Sequence, residues 1–281
     1  MKKYIVLLLA FALLLACCGC GQESVGVYRT LETIGTKHYS VICRSGDPLA
    51  ETVNAAMNVL AATGRLRAAS TQWLGMDAIT LEGDARALDG YSLPEAAPAP
   101  AEDAVPGEEE PAPVRTLIIG VEAGFNPMAF ERYGELTGMS VDIGTQIGEV
   151  LHCPVAFQPI DAADVGAQLA SGNIDCALGF DSSVVSASKY DVGVSYMDSD
   201  ILLAVPTESE VRRLKDLKGL RIGITEDPVV QDVLKADEKI TKYASGATVY
   251  LSTPRCFSAL ESDWCAAVAM DHLRLLYDQP D

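Results

Sequence analysis

The chain has 281 residues, enough for two lobes with separate hydrophobic cores at the usual ~100–150 residues per domain. Hydrophobic residues make up 49% and charged residues 21%, which is typical of a globular protein. The formal net charge is −18, and so acidic a surface repels phosphate backbones and is not drawn to an anionic membrane. Composition and charge therefore argue against a nucleic-acid-binding protein.

The first residues predict a cleaved export signal. Lys2 and Lys3 form a short basic region ahead of 13 apolar residues at 4–16. Such a run has the length of a signal-peptide core and is too short to span ~30 Å of hydrocarbon comfortably. We therefore expect residues 1–16 to be removed during export.

The end of this run, LLAC, resembles a bacterial lipobox, with a small residue directly before Cys17. We expect Cys17 to carry acyl chains and residues 17–24 to form a tether on the extracytoplasmic face of the membrane. Cys18 and Cys20 are rival acceptors with poorer upstream patterns. The alternative is an ordinary signal peptide that is cut nearby.

The cysteines beyond the leader and tether predict neither a metal site nor a dithiol site. There are five: Cys43, Cys153, Cys176, Cys256 and Cys265. An odd number prevents complete pairing within the chain, and no CxxC spacing occurs among them. Cys176 and Cys265 lie in apolar, strand-like runs, where a small buried hydrophobic residue is the default role. A Cys256–Cys265 bridge is the alternative for that pair.

The predicted elements begin with a strand at 38–44, HYSVICR. A Ser-Gly-Asp-Pro turn follows, and apolar residues at helical spacing then predict a helix over 49–61. Gly64 would stop this helix. A second short helix is predicted over 66–73, and Gly75 would end it.

Residues 92–114 form the next segment, which is dense in Pro, Ala and Glu and contains no aromatic residue. Such a segment cannot bury enough apolar surface to offset its ordering entropy, so we expect a solvated linker. A recognition motif for a partner protein is the alternative.

Strands and helices alternate after the linker, which predicts α/β lobes with mostly parallel sheets. The predicted strands are 116–121, 155–159, 175–180, 201–206, 221–224, 247–252 and 265–270. The predicted helices are 141–151, 163–170, 229–235, 256–260 and 271–277.

Several ordered motifs after Leu117 resemble the family 3 extracellular solute-binding proteins of the amino-acid-binding type. They are GVEAGFNPMAF, GELTG followed by SVDIGTQI, LASGNIDCAL, LKDLKGLRIGI and CAAVAMDH. Asp142 falls at an acidic position of the second motif. The resemblance implies an α/β, two-lobed periplasmic-binding-protein-like fold of type II, the receptor of an ABC importer.

The family's usual C-terminal segment resembles residues 39–75, at the front of this chain. The sequence therefore predicts a circular permutant, in which the linker joins the family's usual ends; domain termini often lie close together. A truncated second copy behind the remnant of a first is the alternative. We predict a first lobe from 39–91 plus 115–200 and a second lobe from 201–281 plus 25–38.

The resemblance also implies a ligand cleft between the lobes. Its predicted ligand-binding residues are Phe125, Phe130, Gly179, Phe180, Asp181, Ser182, Thr225 and Asp271. If Phe125 and Phe130 do not contact a ligand, they are core residues. Asp271 would contact a ligand ammonium at the end of its strand. The alternative role of Asp271 is to cap the following helix.

Two departures from the family pattern affect the ligand. The family carries an arginine after the strand at 175–180, whereas the nearest cation here is Lys189. Lysine does not replace the guanidinium fork that binds a carboxylate in two hydrogen bonds. Glu226 and Asp227 follow Thr225 and would oppose an anionic group. The sequence therefore predicts a cationic or amine-bearing ligand, or none.

We expect a monomeric receptor for a small-molecule solute, with an ABC permease as its membrane partner. His38, His152 and His272 are scattered, and no metal, cofactor or nucleophile motif occurs, so no enzyme is predicted. The alternatives are a degenerate receptor that acts as a sensor or scaffold, and an enzyme resembling cyclohexadienyl dehydratase.

Overall fold

The structure, a computed structural model, describes residues 24–91, 115–122 and 124–278. The predicted leader, the Cys17 lipidation site, the tether up to residue 23 and the linker at 92–114 lie outside the described residues. Within the described part of the chain, no helix combines the length and apolar character needed to cross a bilayer.

The strands are β1 Ser24–Val25, β2 Tyr28–Arg44, β3 Leu117–Glu122, β4 Phe130–Arg132, β5 Glu135–Thr137, β6 Val155–Ile160, β7 Cys176–Asp181, β8 Tyr190–Val192, β9 Met197–Pro206, β10 Arg221–Thr225, β11 Gly246–Tyr250 and β12 Ala267–Asp271. The α-helices are α1 Pro48–Ala62, α2 Arg65–Leu74, α3 Met139–Leu151, α4 Val165–Ser171, α5 Pro228–Ala236, α6 Glu238–Tyr243, α7 Thr253–Glu261 and α8 His272–Tyr277. Short 3-10 turns cover Ala162–Asp164, Ser182–Val184 and Leu214–Leu217.

Most of the predicted elements are present with bounds shifted by a few residues. The helix over 49–61 begins with Pro48 behind the Asp47 cap, and Gly75 ends α2 in the left-handed conformation. The β4–β5 hairpin, β8 and α6 had no clear pattern in the sequence. Ser24, assigned to the tether from the sequence, pairs with β2 as part of β1.

One mixed sheet holds the molecule together, in the order β11-β10-β12-β9-β2-β7-β3-β6. At one end β3 runs parallel to β6 and β7, and at the other β10 runs parallel to β11 and β12. In the middle, β2 is antiparallel to both β7 and β9. The expectation of parallel sheets therefore holds for each end, and the two ends are joined by antiparallel strands.

β2 is ten residues longer at its start than the strand predicted from the sequence. It pairs with β9 from Tyr28 opposite Pro206 to Tyr39 opposite Met197. Two register shifts, one of them just before Gly35, interrupt this pairing. The early part of β2 is polar, so its strand conformation comes from this neighbour and not from its own pattern.

The segment before the linker shares its sheet and its helix packing with the residues after the linker. Besides the pairing of β2 with β7 and β9, helices α1 and α2 pack against α3. The indole N–H of Trp73 donates to Asp142 Oδ2 at 2.6 Å. Arg65 and Glu149 form an ion pair between the same helices.

Apolar side chains form separate cores at the two ends of the sheet. The first half of the molecule, β3, β6, β7 and α1–α4, buries residues such as Leu60, Leu117 and Ile143. The second half, β10–β12 and α5–α7, buries residues such as Ile224 and Phe257. Both β2 and β9 run through both halves, so these strands connect them.

Candidate functional site

A cavity of about 530 Å³ lies where the two halves meet. From the first half it is lined by Glu122, Gly124 and residues 161–164, and from the second by residues 225–227, 251–254, Arg274 and Asp278. Six of these side chains are carboxylates: Glu122, Asp161, Asp164, Glu226, Asp227 and Asp278. Arg274 is the one lysine or arginine among the described residues that line it.

The cavity lies at the carboxyl ends of parallel strands, where open α/β sheets bind ligands. Glu122 is the last residue of β3, and Thr225 is the last residue of β10. Asp161 directly follows β6. The fold thus brings acidic side chains from both halves to one place.

Arg274 connects the two halves across this cavity. Its Nη2 lies 2.5 Å from Oε1 of Glu122, and its Nη1 lies 3.5 Å from Oδ2 of Asp278. The guanidinium also stacks on Phe125, with Cζ 4.0 Å from the ring centroid. The arginine side chain is only 11% exposed, so its charge is neutralised by protein groups.

Burial raises the pKa values of the two carboxyl groups that pair with Arg274. Burial raises the pKa of Glu122, although Arg274 opposes the shift. Burial likewise raises the pKa of Asp278 to about 6, again against the effect of Arg274. Burial alone would lower the pKa of Arg274, but the facing carboxylates outweigh it and raise the pKa.

A second buried ion pair involves Asp227 of the cavity wall and Lys37, which lies behind it. Lys37, on β2, places Nζ 2.5 Å from Asp227 Oδ2 and 3.7 Å from Asp271 Oδ2. Burial lowers the pKa of Lys37, but the two carboxylates outweigh it and raise the pKa overall. Burial raises the pKa of Asp227, but Lys37 and the amides of α5 outweigh it and leave the pKa lowered.

Asp271 is fully buried, and its carboxylate accepts hydrogen bonds from within the protein. The Tyr39 hydroxyl donates to it at 2.7 Å, Ser199 Oγ at 2.9 Å and the backbone N–H of Leu273 at 2.7 Å. The carboxylate therefore caps α8, one of the two roles that the sequence left open. Burial and this carboxylate raise the pKa of Tyr39 well above its ordinary value.

The two predicted aromatic residues lie in different places. Phe125 is fully buried beneath Arg274, and its ring centroid is 6.5 Å from that of Tyr39. Phe130 begins β4 and meets Trp73 edge-on, with ring centroids 6.0 Å apart. Phe125 therefore lies one layer behind the cavity, whereas Phe130 packs at the α2 surface.

The predicted residues around the end of β7 are held by internal contacts. Gly179 has a φ of 86° and packs against Ser140, and Phe180 is buried in the first half. Asp181 accepts from the backbone N–H of His38 at 2.6 Å and from that of Ser183 at 2.8 Å.

Among the eight predicted residues, Thr225 alone is on the cavity wall. Ser182 is half-buried at the start of a 3-10 turn. Lys189, the cation nearest the family's arginine position, is exposed and does not line the cavity. The ligand roles of the predicted residues stay predictions.

Sequence reasoning missed Arg274, Glu122 and Lys37. Arg274 had a usable signal, because it follows Asp271 by one helical turn on a short helix and so shares its face. Lys37 had none, since its burial depends on β2 pairing with β9. Among the described residues, no group of three or more His, Cys, Asp or Glu side chains could hold a metal ion.

Comparison with known proteins adds a family match. A family model described as "Bacterial extracellular solute-binding proteins, family 3" matches residues 117–267. No curated protein sequence matches the chain.

Solved structures of similar fold were also found. An ABC uptake transporter substrate-binding protein from Streptococcus pneumoniae with bound histidine shares 23% identity at a TM-score of 0.52, covering 58% of this chain and 67% of that one. An ancestral amino-acid-binding protein, a precursor of cyclohexadienyl dehydratase, shares 19% identity at 0.48, covering 57% and 72%. An ancestral arginine-binding protein bound to glutamine shares 23% identity at 0.47, covering 57% and 71%. The predicted periplasmic-binding-protein-like α/β fold is confirmed.

Proposed function

Because the chain belongs to family 3 of the bacterial extracellular solute-binding proteins, we propose that it is the receptor of an ABC importer and binds an amine-bearing, cationic solute between its two halves. The family match covers more than half of the chain. We propose binding without catalysis, since family membership points to a solute carrier.

The acidic lining of the cavity supports a cationic ligand. Carboxylates from both halves surround the space, and Arg274 is already paired with Glu122 and Asp278. An ammonium group in this space would meet an attractive potential, whereas a ligand carboxylate would be repelled. An amine without a carboxylate therefore fits better than a neutral α-amino acid.

Closure of the two halves would follow from the same arrangement. A ligand that touches Asp161 and Asp164 on one side and Glu226 on the other gains all its contacts only when the halves are together. We propose that β2 and β9, which run through both halves, are the hinge, and that the permease recognises the closed form. The lobes proposed are 39–91 plus 115–200, and 201–281 plus 25–38.

We further propose that the monomeric protein is held at the extracytoplasmic face of the membrane through acylated Cys17. The position of β2 between β7 and β9 supports a circular permutation, because a segment before the linker supplies a central strand for residues after it. The linker at 92–114 would then join the family's usual ends.

Calorimetric titration with putrescine, agmatine, arginine and glutamine tests the proposed ligand class. We expect the two amines that lack a carboxylate to bind more tightly than glutamine, with an affinity that falls as salt rises. Glu226→Gln should weaken amine binding, whereas Glu131→Gln, an exposed acid outside the cavity lining, should not. Tight binding of glutamine alone would contradict the proposal.

A degenerate receptor that acts as a sensor or scaffold is the second candidate. It is favoured by one observation: the protein's own cations, Arg274 and Lys37, already neutralise carboxylates at and behind the cavity. In that case none of the four solutes would raise the melting temperature of the protein. Replacing the carboxylates of the cavity by amides would leave its biological role intact.

A further inference from the structure

We propose that Cys43 and Cys176 form a disulfide bond in the exported protein, tying the segment before the linker to the sheet after it. The two residues lie directly opposite each other on the antiparallel strands β2 and β7. Opposed residues in such a pair have Cα atoms about 4.5–5.5 Å apart, within the roughly 4.4–6.8 Å that a disulfide spans.

The two side chains lie on the same face of the sheet. Both belong to the core of the first half, and their residues are 1% and 0% exposed. A hydrogen bond in which the Cys176 S–H donates to the Cys43 sulfur, together with burial, raises the pKa of the Cys176 thiol. Residues that face each other in this way across two antiparallel strands meet the geometric requirement for a disulfide.

Among the described residues, the remaining cysteines do not compete with Cys43 and Cys176 for this pairing. Cys153 is half-buried just after the end of α3, and Cys256 and Cys265 lie together against Gly223 in the second half. The described cysteines thus fall into two neighbouring pairs and one single residue, which agrees with their odd number. Of the two pairs, Cys43–Cys176 alone spans the linker.

The chemistry needs an oxidant, which the compartment supplies. Bond formation removes two protons and two electrons from the two thiols, and a disulfide-bearing exchange partner accepts the electrons and becomes two thiols. The family is extracellular, where disulfides form and persist. Because both thiols are buried in the folded sheet, the exchange takes place during folding, while the strands are still accessible. This inference depends on export and not on the proposed ligand.

Peptide mapping of the exported, full-length protein tests the pairing. The protein is denatured, its free thiols are alkylated, and it is digested without reductant. We expect a linked peptide pair containing Cys43 and Cys176, with Cys153 alkylated. Recovery of both Cys43 and Cys176 in alkylated form would overturn the proposal.

Cutting the chain inside 92–114 gives a second test, through a protease site inserted there. The two pieces should stay together on a denaturing gel without reductant and separate when reductant is added. Cys43→Ser and Cys176→Ser should each let the pieces separate without reductant, whereas the control Cys153→Ser should not. A bond between Cys256 and Cys265 cannot hold the pieces together, because both residues follow the linker. Separation of the wild-type pieces without reductant would refute the pairing even if a variant failed to fold.

Discussion

Arg274 pairs with Glu122 across the boundary between the two halves, with 2.5 Å between Nη2 and Oε1. Glu122 ends β3 in the first half, whereas Arg274 lies on α8 directly after β12 of the second. The same helix places Leu273 in the core of the first half and Leu275 in that of the second. α8 therefore holds the two halves together.

Arg274→Met tests this contact. The change leaves the buried carboxylate of Glu122 without its cation, so we expect the free energy of unfolding to fall by about 3–5 kcal/mol. Chemical denaturation measures the loss. The double variant Glu122→Gln/Arg274→Met should recover part of it, and Arg213→Met, at a side chain that is 68% exposed, should change stability by less than about 0.5 kcal/mol. A small loss of unfolding free energy in Arg274→Met would show that other groups compensate the Glu122 carboxylate.

Lys37→Met tests the ion pair between Lys37 and Asp227. Removal of this buried ammonium leaves Asp227 uncompensated beside Asp271, so we expect a loss of about 3–5 kcal/mol in unfolding experiments near neutral pH. Lys235→Met is the control, because that side chain is 70% exposed and its pair with Asp232 is a surface pair. Equal effects of the two substitutions would contradict the role given to Lys37.

Trp73 and Asp142 allow a double-mutant test of how the segment before the linker joins the rest. The hydrogen bond from the indole to the carboxylate should give a coupling energy of about 1–2 kcal/mol in the cycle of Trp73→Phe and Asp142→Ala. Gln72→Leu is the control, since Gln72 reaches the same carboxylate at 3.2 Å from an exposed position. A coupling energy near zero for Trp73 would mean that this hydrogen bond does not stabilise the packing of α2 on α3.

Asp278 predicts a pH dependence of stability. Its pKa is raised from 3.8 to about 6, mainly by burial, so the folded protein holds this proton more tightly than the unfolded chain. The stabilisation from this proton is present below about pH 4 and is lost as the pH rises through 6. Relative to Asp278→Asn, the wild type should lose about 2–3 kcal/mol between pH 4 and 7 in urea unfolding. If the difference in unfolding free energy between the wild type and Asp278→Asn stayed constant across this range, the pKa of Asp278 would not be raised by folding.

Gly179→Ala tests the close contact at the end of β7. Gly179 has a φ of 86°, and an added Cβ would lie 2.4 Å from Ser140 Oγ, so we expect a loss of about 2–4 kcal/mol in thermal or chemical unfolding. Gly172→Ala is matched to it: φ is 76°, but no atom lies within 4 Å of the new Cβ. That control should lose only about 1 kcal/mol. Similar losses for both would assign the effect to backbone conformation alone.

Local patterns were sufficient for much of the fold and for the family. The motifs after Leu117 predicted the family that the match over residues 117–267 confirms. Helical periodicity and caps placed α1 and α2 within a few residues, because Asp47, Pro48 and Gly75 act on the backbone next to them. The first ten residues of β2 were not predicted as strand, because this polar part depends on β9 for its conformation.

The sequence by itself determined the family, the α/β class, the acidic charge and the expectation of a cationic ligand, since these depend on residue types and on neighbours along the chain. Only the tertiary structure decided which charges meet. It paired Lys37 with Asp227 and Arg274 with Glu122, residues 190 and 152 positions apart, and it turned the carboxylate of Asp271 inward. The physical reason is that burial and ion pairing depend on distances between strands that no local pattern encodes.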